Sequence, residues 1–146
     1  VIVETVPALG QRLSELIPEG NMEPKFLNNL KSAEEEIYND SENTRCNWTP
    51  KTLRNELESA DWDIIRWQVK EFFTPTLIRT SQIEQWFAVQ PENSKSNYWK
   101  LLSSHFTADQ LNNLLEIFLS EVAGNIVKWR SVCLFMKFCK KTTNGS

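Results

Sequence analysis

The sequence predicts an all-α fold, a compact irregular helical bundle or a short stack of antiparallel helix pairs. Three observations carry that reading. Apolar residues recur three and four apart over most of the chain. Helix-start signals stand in front of several of these stretches: Thr49-Pro50, Thr74-Pro75 and the Thr107-to-Gln110 capping pattern. Only 4 Gly and 6 Pro occur in 146 residues, too few for the many tight turns of an all-β domain. The expectation is about six to eight helices. Residues 1–141 would form one helical domain and 142–146 a flexible tail.

Taken in order, Val6, Leu9, Leu13, Leu16 and Ile17 are spaced for a first helix, with Pro7 near its start, and the only hint of a strand is Val1–Val3. Pro18-Glu19-Gly20-Asn21 breaks the pattern. A second helix is expected from Glu23-Pro24 to Tyr38, with Phe26, Leu27, Leu30, Ala33 and Ile37 inward and Glu34-Glu35-Glu36 solvated. Residues 39–47 read as a loop. Thr49 and Pro50 then supply an N-cap and a first helical residue for Leu53, Leu57 and Ala60. Asp61-Trp62-Asp63 reads as a restart, placing Trp62, Ile65, Val69 and Phe72/Phe73 on one helical face, which Ile64 and Trp67 widen. Further helices are expected after Thr74-Pro75, after Thr80 or Ser81, from Tyr98 to His105, and from Thr107 to about Lys140 with a bend at Gly124. Residues 90–97 separate the middle pair as a loop.

Charge is unevenly divided. Residues 1–72 carry 8 basic and 14 acidic side chains, and residues 73–146 carry 8 and 5. The acidic front and basic tail suggest surfaces that attract each other or a charged partner. Cys46, Cys133 and Cys139 fit no zinc spacing and read as free thiols in a reducing, intracellular setting. A secreted protein is the alternative, because Asn39, Asn47 and Asn144 each begin an N-x-S/T triplet. The chain begins at Val1 and has no run of roughly 20 apolar residues, so it reads as a piece of a larger protein without a membrane span.

The segment "NIVKWRSVCLFMKFCKK", residues 125–141, mixes apolar and basic residues and contains no acid. On a helical wheel Arg130, Lys137, Lys140 and Lys141 share one stripe. The remaining apolar arc is about twice as wide as a surface helix needs, so the segment reads as a central core helix with one wet edge. Trp48, in a loop beside a helix cap, is either an exposed partner anchor or a staple beneath the Thr49 cap.

Nothing points to catalysis. His105 is the single histidine, and no Gly-rich phosphate loop or G-x-S-x-G is present. Asp61/Asp63 and Glu56/Glu58 are two apart, a spacing that turns helical side chains away from each other. No cofactor, metal site or small-molecule substrate is implied. The chain is therefore expected to be a non-enzymatic interaction domain, a scaffold or adaptor binding a protein partner or a copy of itself. Its candidate contact residues are Arg130, Lys137, Lys140, Lys141 and Trp48. The alternative is a phosphate-directed module that meets RNA or an anionic membrane through the basic stripe, against which a pI near 5.3 counts.

Overall fold

The computed structural model describes residues 1–91 and 96–143. It overturns the all-α expectation: 44% of these residues are helical and 25% lie in strands. The fold is mixed, with one antiparallel three-stranded sheet, so neither the helical bundle nor the stack of helix pairs describes it.

Strand β1 spans Ile2–Thr5 and leads into two 3-10 turns, Pro7–Leu9 and Leu13–Leu16. Helix α1 is Pro24–Asn39 and α2 is Pro50–Ser59. The long β2, Trp62–Leu77, is followed by α3 (Thr80–Phe87), α4 (Tyr98–Leu102) and α5 (Ala108–Ile117). A single π turn, Phe118–Val122, extends α5 before β3, Ile126–Lys140. The strand order is β1-β3-β2, so β3 is central and β2 is an edge. β1 pairs with β3 in the register Ile2↔Met136 to Thr5↔Cys133.

Two stretches expected to be helical are the two long strands, and the reason is visible in their side chains. Ile64, Ile65, Val69, Thr74 and Thr76, with Trp62, Trp67, Phe72 and Phe73, make β2 rich in the β-branched and aromatic residues that suit a pleated surface. The spacing Ile65, Val69, Phe73 satisfies a four-residue helical step and a two-residue strand step alike. In β3 the buried residues are Val132, Leu134 and Met136, a strict alternation that belongs to a strand. The expected bend at Gly124 is instead a stop. Gly124 has a φ of +79°, which suits glycine and ends the helical run ahead of β3. Pro75 does not open a helix; it sits in β2, where an edge position tolerates its missing N–H.

Other expectations hold. Thr49 caps α2: its Oγ1 accepts from the Thr52 N–H at 3.2 Å, while Thr52 Oγ1 accepts from the Thr49 N–H at 2.9 Å. Thr107 and Gln110 form the same reciprocal box at α5. The loop expected over 90–97 lies partly outside the described residues, as do Asn144 and most of the 142–146 tail.

The chain divides into two compact units. The first comprises Val1–Gln11, Tyr38–Thr74 and Trp129–Ser146. Its core is Val6, Val132, Leu134 and Met136, with Trp48, Leu53, Trp67 and Phe138 packed against them. The second comprises Arg12–Ile37 and Pro75–Lys128. There Leu30, Ile78, Ile83, Leu102, Leu111, Leu114 and Phe118 are fully buried. Phe118 packs against Trp86, Phe87 and Tyr98 with ring centroids 5.5–6.4 Å apart. Burying such side chains contributes roughly 1.5–3 kcal/mol each, which holds the short helices that propensity alone would not.

Candidate protein-interaction surface

In the first unit the sheet has a core face and an outer face. On β3 the core face carries Val132, Leu134 and Met136, and Trp67 of β2 packs on the same side. Arg54 of α2 lies 5.8 Å over the Trp67 ring, so the helix covers that face. The outer face is built from the alternate residues. Phe72 and Phe135 bring their rings to 6.4 Å, and the Lys70 Nζ stands 5.4 Å from the Phe135 ring. Val3 is the register partner of Phe135 on β1 and adds its side chain to the same face.

Trp62 also reaches the core side, meeting Phe138 edge-on at 5.2 Å. Trp62 and Trp67 are an odd number of residues apart, so the alternation of β2 shifts phase between them, as a bulge requires. From Trp67 onward the contacts of Trp67, Lys70 and Phe72 follow strict alternation.

β2 is an edge strand of the sheet. Every residue from Gln68 to Pro75 is exposed. Among them and just before them, Ile65 is 57% exposed, Val69 45%, Phe72 42% and Phe73 58%. These are large apolar side chains on a long edge strand, the arrangement most prone to pairing with another chain.

The residues expected to form the basic stripe are not brought together. A strand separates side chains by parity, so Arg130 and Lys140 share the core-face phase, whereas Lys137 shares the phase of Phe135. Arg130 is half-buried; its Nη2 donates to the Gly10 carbonyl at 3.2 Å and its N–H to Gln11 Oε1 at 3.1 Å. It therefore ties β3 to the segment after β1. Lys141 is exposed just past β3, and its backbone N–H donates to the Asp61 carbonyl at 2.8 Å. Trp48 is half-buried and packs against the core cluster of the first unit. Sequence reasoning missed β2 as a surface, although its run of Ile, Trp, Val and Phe is the signal that could have shown it.

In the second unit Asn29, Ser32, Ala33, Glu36, His105, Phe106 and Gln110 line an open groove of about 250 Å³. His105 Nε2 is 3.0 Å from Glu36 Oε2. Elsewhere on α1 Glu34, only 2% exposed, accepts from the Ser14 N–H, the Ser14 hydroxyl and the Tyr98 hydroxyl. Burial raises the Glu34 carboxyl above its ordinary value, with those bonds and Arg12 opposing the shift. The Glu34 carboxyl is held by Ser14 and Tyr98 within the unit, and the arrangement reads as a satisfied support for α1.

Among the described residues no helix is long and apolar enough to cross a membrane. No protein-family model, curated protein or solved structure matches the chain.

Proposed function

We propose that the chain is a non-enzymatic protein-interaction domain whose contact surface is the open edge of β2 with the outer face of the sheet beside it. The observation that supports this is the unbroken exposure of Gln68–Pro75, with Ile65, Val69, Phe72 and Phe73 large and apolar within or next to it. An edge strand offers a partner main-chain hydrogen bonds for affinity and alternate side chains for specificity. This surface replaces the helical stripe as the contact region, with Lys137 at its margin. An intracellular setting belongs to the same reading, supported by Cys46, Cys133 and Cys139 as free thiols.

The phosphate-directed alternative has less support, because the strand splits the basic residues between faces and the Arg130 guanidinium is engaged with the Gly10 carbonyl. Salt separates the two readings. Phosphate binding weakens steeply as salt rises, while an apolar strand contact does not.

The test is affinity capture with the wild-type chain and with a Phe72→Ser, Phe73→Ser variant whose circular dichroism is unchanged. The reading expects a protein catch that survives raised salt and is lost with the two phenylalanines. A catch kept by the variant, or a nucleic-acid catch lost with salt, overturns it.

A further inference from the structure

We propose that Thr74 is a phosphorylation site for a proline-directed protein kinase and that its phosphate switches off the β2 contact; the second half rests on the interaction reading above. Two of the six prolines follow a threonine, giving Thr49-Pro50 and Thr74-Pro75. A kinase of this class takes an extended segment and seats the proline, which lacks an N–H, beside the acceptor hydroxyl. Proline also biases the residue before it toward the extended backbone that such an enzyme binds.

The fold treats the two pairs differently. Thr49 is half-buried, Pro50 is buried at the first turn of α2, and Thr49 Oγ1 accepts from the Thr52 N–H at 3.2 Å. A kinase would have to unravel that cap to reach the hydroxyl. Thr74 and Pro75 lie on the edge strand β2, and both are exposed, as is every residue from Gln68 to Phe73. The strand holds the pair in the extended conformation before any enzyme arrives.

The consequence follows from where Thr74 sits. It is two residues beyond Phe72, so alternation sets it on the same face of the sheet, and it is next in sequence to Phe73. Phe72 and Phe73 are the most exposed aromatic rings of this edge, at 42% and 58%. In the transfer, the bond from the γ-phosphorus of ATP to its bridging oxygen breaks and a bond to Thr74 Oγ1 forms. The hydroxyl proton passes to the kinase's base and ADP leaves. The product carries about −1.5 to −2 charges at pH 7. A partner that buries Phe72 and Phe73 must then strip water from that phosphate, a desolvation cost that opposes the apolar contact.

The experiment incubates the whole chain with ATP and a proline-directed kinase that needs only the threonine-proline pair, and maps the phosphate by mass spectrometry. Synthetic peptides covering residues 44–54 and 69–79 are run beside it. Both peptides should accept phosphate, whereas the folded chain should accept it at Thr74 roughly tenfold faster than at Thr49. Thr74→Ala should abolish the uptake at that position. Partner capture by the phosphorylated chain should fall roughly tenfold and return after phosphatase treatment. A folded chain that leaves Thr74 unmodified, or takes phosphate equally at Thr49, overturns the site. A phosphorylated chain that captures its partner undiminished, where the Phe72, Phe73 variant does not, overturns the switch alone. A Phe72, Phe73 variant that keeps its catch without any kinase overturns the interaction reading and the switch with it, so the failures are distinguishable.

Discussion

Ser14 and Glu34 meet twice: the Ser14 backbone N–H donates to the carboxylate at 2.9 Å and the Ser14 hydroxyl donates to its other oxygen at 2.6 Å. A buried acid, not a surface one, thus joins the Leu13–Leu16 turn to α1. Burial lifts its pKa above 4.5 and the hydrogen bonds only partly offset that. The folded chain therefore holds this proton more tightly than the unfolded chain. Its contribution to stability is fully present below about pH 4.5 and is lost as pH rises through the elevated folded value. Glu34→Gln removes that dependence. Urea unfolding at stepped pH should show wild type losing stability relative to Glu34→Gln as pH climbs from 4.5. A constant difference between the two would contradict the assignment.

The parity of β3 separates residues that a helical wheel would group. Arg130→Glu removes the guanidinium's bond to the Gly10 carbonyl and sets a carboxylate against that oxygen at a half-buried position, and should cost about 1–3 kcal/mol. Lys137→Glu and Lys140→Glu are exposed changes and should stay within about 0.5 kcal/mol of wild type. Denaturant midpoints of the three variants check this directly; equal effects would restore the stripe.

Gly124 ends the helical run with a φ of +79°, and nothing lies within 4 Å of where a Cβ would stand. Space is therefore not the constraint, and backbone conformation is. Gly124→Ala should cost about 1–2 kcal/mol in thermal unfolding. A neutral substitution would mean that the turn adopts another conformation.

Thr49 and Thr52 close the start of α2 with two reciprocal hydrogen bonds. Thr49→Ala should cost about 1 kcal/mol. Thr49→Ser keeps the oxygen and should recover most of that loss in the same unfolding measurement.

How much of this was legible depended on whether a signal was local. Thr49-Pro50 and Thr107-to-Gln110 announce their helices because a cap is made within four residues. Pro18 to Asn21 likewise marked a break, and Gly20 there has a φ of +85°. The strands were harder, since Ile65, Val69 and Phe73 fit both periods and only pairing with β3 decides between them. The width of the apolar arc over 125–141 was a clue of the right kind. An arc too wide for a surface helix is what an alternating strand with aromatics on its second face also produces. Glu34 lay hidden inside an acidic run that looked solvated, because its partners Ser14 and Tyr98 are distant in sequence.

Amide hydrogen exchange on the chain alone and in its captured complex tests the central claim most directly. The account predicts slowed exchange along Ile65 to Phe73 in the complex, with the groove around Glu36 and His105 unchanged. Slowing confined to that groove, with the β2 amides exchanging as before, would contradict it.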